Sequence, residues 1–96
     1  MTISIEFENK KIAFIGDITF SSVQSLEDQI LQHYPTISKT VVVDFANVGK
    51  VDTSALALCV SLQRRCEQGA AVYFENVPQC LLDIAASVGV EKIFEP

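Results

Sequence analysis

Asp52, Thr53 and Ser54 stand in a row where an apolar run, TVVVDF, hands over to a segment patterned like a helix. The first amides of a helix lack partners within it, and a hydroxyl beside them can cap one. One hydroxyl suffices for that task. A second, following a carboxylate, is available for phosphorylation or for contact with another protein. A phosphate on Thr53 would meet favourable helix amides and a repulsive Asp52, and would add about −1.5 to −2 units of charge. The residues alone leave two readings open: a capping site, and a regulatory or docking site.

Asp44 and Asp52 form a second constellation, one at the end of the apolar run and the other before the next helix. Carboxylates sharing a sheet edge can hold magnesium, so a small metal-dependent enzyme is one hypothesis. The plainer reading has Asp44 accepting from loop amides and Asp52 favouring the helix N-terminus. No third acidic residue or lysine is placed to complete a metal site. The single histidine, His33, falls near the end of a helical segment, where the dipole favours it. No Ser-His-Asp or Cys-His motif surrounds it, and no glycine-rich phosphate loop or metal-ligand spacing occurs, so no cofactor or metal is expected. Cys59, Cys66 and Cys80 are odd in number and form no CxxC pair, and they read as reduced core residues.

The elements that must position these groups follow from periodicity. TISIEFENKKIAFIG alternates apolar and polar residues on both sides of ENK, which predicts a hairpin broken at Gly16-Asp17. FSSVQSLEDQILQHY predicts a helix with Ser21 and Gln24 as a capping box and Val23, Leu26, Ile30 and Leu31 as its stripe. Tyr34-Pro35 ends it. TVVVDF is too short for a helix and apolar throughout its centre, which predicts a central strand covered on both faces. From Ser54 to Gln68 a second helix carries Ala55, Leu58, Cys59, Leu62 and Cys66 inward and Ser61, Arg64, Arg65 and Gln68 outward, with Gly69 after it. AAVYFENV is the last strand, with Val72 and Phe74 on one face. A short helix, QCLLDIAASV, runs from Pro78 to Gly89, and Ile93 and Phe94 anchor an irregular tail.

Ninety-six residues make one domain, expected to occupy 1–96. With 49% hydrophobic and 20% charged residues the chain is of ordinary folded composition. A net charge of −5 argues against nucleic acid and against anionic membrane surfaces, both of which reward clustered Lys and Arg. No apolar run approaches a membrane span and no signal peptide is visible, so a cytoplasmic location is expected. A hairpin followed by helix–strand alternation gives an α/β fold: a mixed four-stranded sheet with three helices packed mainly on one face. The strands TVVVDF and AAVYF are expected to be parallel neighbours.

VVVDFANVGKVD, DTSALAL and CEQGAAVYFENVP together resemble the STAS domain, the family of bacterial anti-sigma factor antagonists that also occurs on anion transporters. The likeness covers nearly the whole chain. The family motif reads Asp, a hydroxyl residue, Ser or Gly, then usually Gly and Leu; here it stands as Asp52, Thr53, Ser54, Ala55 and Leu56. The resemblance therefore places the antagonists' phosphoacceptor on Thr53. VDTSALALCVSLQRRCEQG and PQCLLDIAASVGVEKIF are similar to one branch in particular, the STAS subunits of Mla-type phospholipid-trafficking ABC transporters.

That branch implies a non-catalytic protein, peripheral to the inner membrane through its partner, the transporter's ATPase subunit. It would contact that partner through Thr53, Ser54, Leu56, Ser61, Arg64 and Arg65, with Asp44 and Asp52 in support. The wider family implies an alternative: an anti-sigma factor antagonist bound by a kinase and switched by phosphorylation of Thr53. Ala55 departs from the usual glycine. It favours the helix by about 1 kcal/mol, and its methyl is expected to add bulk beside Thr53 and hinder a kinase.

Overall fold

Alternation of side chains across a pleated strand assigns every second residue to the core, and the sheet is built on that rule. The computed structural model describes residues 4–8 and 10–94. Ile3 and Asn9 of the expected hairpin, and Glu95-Pro96 of the expected tail, lie outside them. Strand β1 (Ser4–Glu8) pairs antiparallel with β2 (Lys11–Ile18), which pairs in parallel with β3 (Val41–Val51). That strand in turn runs parallel to β4 (Val72–Glu75), so the sheet order is β1-β2-β3-β4. The parallel part is larger than the expected pair, because β2 joins it and β1 alone runs the other way.

Gly16-Asp17 does not break β2. The strand passes through Gly16 at φ 106°, a conformation open to glycine, and continues to Ile18. Along the same ladder β3 runs longer than the sequence suggests. Ala13 and Ile15 face Asp44 and Asn47, and Gly16 and Ile18 face Val48 and Val51, so β3 carries one extra residue at each of two shifts. Bulges of this kind let one strand outrun its neighbour while pairing persists. Gly49, within this stretch, lies so near the Asp17 carboxylate that a β-carbon would collide with it.

Helix α1 (Val23–His33) packs on α2 (Thr53–Arg64), which packs on α3 (Gln79–Ser87), and a 3-10 turn (Glu91–Phe94) ends the described chain. Ser21 and Gln24 form no capping box. The helix begins after Ser22, whose Oγ accepts from the Thr19 amide and donates to the Asp17 carbonyl instead. Leu26 and Ile30 are buried as expected, whereas Leu31 is 43% exposed and leaves the stripe. Helix α2 stops at Arg64, four residues short of expectation, because the chain turns at Arg65 to bridge Ile37. There the Ile37 amide donates to the Arg65 carbonyl at 3.0 Å and the Glu67 amide to the Ile37 carbonyl at 2.8 Å.

The core lies between the helices and one face of the sheet: Ile12 and Phe14 from β2, Val41, Val43 and Phe45 from β3, and Leu58, Cys59, Leu62 and Leu81 from the helices. Only that face of β3 is covered. Val42 and Asp44 on the other face are half-buried, which corrects the expectation of a strand sealed on both sides. Apolar on successive positions, TVVVDF carries no alternation that would reveal this. Phe45, at 2% exposure, lies 5.7 Å from the Phe14 ring and 6.1 Å from Phe74, which meets Phe94 edge-on at 5.2 Å. This aromatic row fastens the C-terminal turn across the sheet.

Candidate functional site

The two bulges in β3 carry the chain past β4 to the end of β2, where the Asp52 amide donates to the Ile18 carbonyl at 3.3 Å. Helix α2 starts one residue later, beside the loop that follows β2. Asp52 binds both. Its Oδ1 accepts from the Ser54 amide at 2.8 Å, which caps α2, and its Oδ2 accepts from the Phe20 amide at 3.0 Å. Burial works against the charge of this carboxylate, but the Phe20 and Ser54 amides and the Ser54 hydroxyl outweigh it and hold its pKa below the usual carboxylate value.

With Asp52 as the cap, neither hydroxyl is needed for that role. Ser54 is half-buried and turned toward Asp52. Thr53, the first residue of α2, is exposed, and among the described residues its hydroxyl has no hydrogen-bond partner. Ala55 is fully buried, so its methyl points into the core and not into the space beside Thr53. The expected obstruction by Ala55 is therefore corrected: the approach to Thr53 is the same whether glycine or alanine follows Ser54.

One groove of about 430 Å³ begins at Thr53 and follows α2. Leu56, Ala57, Val60, Ser61 and Arg64 line its helix side, and Val88 and Val90, from the end of α3 and the turn beyond it, form the opposite wall. Spacings of three and four residues put these α2 side chains on one stripe. Ser61 is the only hydroxyl besides Thr53 among the described lining residues, and its Oγ donates to Glu27 Oε1 of α1 at 2.8 Å. The groove is thus apolar along its length, with a free hydroxyl at one end and a guanidinium at the other.

Of the residues expected at the interface, Thr53, Leu56, Ser61 and Arg64 share this groove. Leu56 is only 8% exposed, serving as core and groove floor at once. Arg65 is not outward. Its side chain is 16% exposed, and Nη2 meets Glu27 Oε1 at 3.3 Å, so it locks α2 against α1. Four groove residues escaped the sequence reading: Ala57 and Val60, which sit on the stripe, and Val88 and Val90, which flank Gly89. Phe20 escaped it too. Read as part of a helix, it is 84% exposed on the loop tied to Asp52. The sequence signal for it was a lone aromatic between Thr19 and Ser21.

Asp44 and Asp52 do not act together. Asp44 accepts from the Ala46 amide and from Asn76 Nδ2, each at 2.9 Å, and pairs with Lys11 Nζ at 3.3 Å. It lies on the helix-free face, beside Glu75, which also faces Lys11 at 3.6 Å. The Asn76 hydrogen bond, helped by the Ala46 amide and Lys11 and opposed by partial burial, keeps the Asp44 pKa low. His33 is exposed in the last turn of α1, its ring edge-on to Tyr34 at 4.9 Å. No group of three or more His, Cys, Asp or Glu among the described residues could hold a metal ion. No described helix is long and apolar enough to cross a membrane.

A family model described as "Mlab, STAS domain" matches residues 1–95 of the chain. Among solved structures, the anti-sigma factor antagonist SpoIIAA in its unphosphorylated form is similar with a TM-score of 0.59. The match covers 82% of this chain and 77% of that one at 13% identity, a likeness of fold. Sequence comparison with curated proteins gave no match.

Proposed function

We propose a function from one premise: the chain belongs to the STAS domain family, in its MlaB-type branch. Domains of this family act through protein–protein contact and are in general not catalysts. The chain is, on this reading, a non-catalytic subunit that binds and supports the ATPase of an Mla-type ABC transporter, which moves phospholipids between the inner and outer membranes. It reaches the inner membrane through that partner alone. The observation that carries the reading is the exposed Thr53 hydroxyl, without a hydrogen-bond partner among the described residues, at the mouth of an apolar groove. A small neutral group beside apolar walls suits a protein contact.

Co-purification of the tagged chain tests this. An ABC ATPase is the expected companion. Thr53→Ala removes one hydrogen bond and should weaken the complex by about two- to tenfold, while Thr53→Glu should break it through charge at the contact. A Thr53→Ala chain that binds the ATPase as the wild type does would refute the contact role.

A second reading is favoured by the same exposure. Thr53 is open to a kinase, and the likeness to the antagonist fold is consistent with a phosphorylation switch. An antagonist would co-purify with a kinase, and its Thr53→Ala form would stay permanently active.

A further inference from the structure

We infer that the groove on α2 receives an apolar protein segment bearing a carboxylate, which pairs with Arg64. This rests on the docking function proposed above and says what the partner's surface must look like. Among the described residues that line the groove, Arg64 alone is charged. It is exposed and, among the described residues, makes no ion pair, whereas Arg65 beside it is held by Glu27. On a chain of net charge −5, a lone unneutralised guanidinium at the end of an apolar channel is the feature an acidic partner would find. From Thr53 to Arg64 the helix rises about 16 Å, so the segment spans some three helical turns. Its neutral end meets Thr53 and its carboxylate meets Arg64.

The polar side chain one turn before Arg64 supports an apolar occupant. Ser61 gives its hydroxyl hydrogen to Glu27, so it offers the groove little to bond. An anionic lipid shares part of this chemistry, an acyl chain with a charged head. Three observations favour protein. The groove is open and runs along a helix instead of enclosing a cavity. Val88 is 62% exposed on the groove wall and Phe20 is 84% exposed on the loop that Asp52 holds, so apolar side chains are offered both in the groove and on the loop next to its Thr53 end, as on surfaces that proteins cover. The net negative charge opposes anionic bilayers.

The test uses the full chain and the ATPase subunit that co-purifies with it, with affinities measured by calorimetry. Arg64→Gln should weaken binding about tenfold and Arg64→Glu more, while Arg64→Lys keeps most of it. Ala57→Asp, at an exposed position where the fold tolerates it, should weaken binding as strongly. Replacing one acidic residue of the ATPase by lysine should restore affinity for the Arg64→Glu chain. If wild type binds and the Arg64 variants bind within twofold of it, the carboxylate contact is wrong and the docking function stands. If wild type does not bind, both fall. Should phosphatidylglycerol vesicles bind the chain in an Arg64-dependent way while the ATPase affinity ignores Arg64, the groove is a lipid site and the inference is overturned.

Discussion

Asp52 serves two elements with its two oxygens, and the exposed Thr53 hydroxyl depends on that arrangement. Oδ1 caps α2 and Oδ2 holds the Phe20 loop, so the carboxylate leaves Thr53 free of structural duty. Asp52→Ala should lower stability by about 1–2 kcal/mol, seen as a lower urea midpoint at unchanged slope. An unchanged midpoint would show that the cap is dispensable. The thiols make a second residue-scale test. Of the three thiols expected in the core only Cys59 is buried: Cys80 is exposed and Cys66 half-buried, and burial pushes the Cys59 pKa up to about 12. A thiol reagent at neutral pH should label Cys80 first and Cys59 only on unfolding; rapid labelling of Cys59 would contradict its burial. At this scale the sequence was legible in part. It marked Thr53 by type and position, but the cap could not be assigned among three adjacent polar residues. Only the backbone angles at Asp52, which turn its carboxylate onto the helix amides, decide that. Arg65 was illegible for a related reason: its direction depends on Glu27, far away in the chain.

The β2–β3 ladder and the groove-bearing helix are linked elements. Two extra residues in β3 set where α2 begins, and nothing in FANVGKV announces them. The hydrophobic stripe of α2 was plain from its spacing, and so was the parallel pairing of β3 with β4. The groove was not, because its second wall comes from Val88 and Val90, separated from α2 in sequence and apposed only by the fold. On the helix-free face, Lys11, Asp44, Glu75 and Asn76 tie three strands together. The Asp44 pKa lies below its ordinary value, so its contribution is present above the ordinary carboxylate range and is lost as pH falls through the lowered pKa. Lys11 is shifted upward, first by its hydrogen bond to Asp44, so its share is complete below the ordinary lysine value and is lost above it. The stability difference between wild type and Asp44→Asn should therefore hold from about pH 5 to 10 and shrink below about pH 4. Urea midpoints across that range measure it; a difference that persists undiminished into acid would contradict the coupling.

The molecule as a whole is an α/β sandwich whose helices cover one face of the sheet and leave the α2 groove open, and its stability rests on the side chains packed between helices and sheet. Leu62 is fully buried between α2 and the rest of the core. Leu62→Ala should cost about 2–5 kcal/mol, a large part of the roughly 5–15 kcal/mol available to a small domain. A thermal midpoint close to wild type would mean that the core closes over the cavity. Fold class was readable at this scale because a hairpin followed by helix–strand alternation permits few arrangements, and the STAS likeness of DTSALAL agrees with it. Which face would bind a partner was not, since the α2 groove and the bare side of the sheet both stay open on such a domain. Methyl resonances separate them. When the chain is titrated with the ATPase proposed as its partner, shifts should concentrate at Thr53, Leu56, Val60, Val88 and Val90 and leave Val42 and Ile15, on the bare side of the sheet, unmoved. Shifts centred on Val42 and Ile15, with Thr53 and Val60 silent, would contradict docking through the groove.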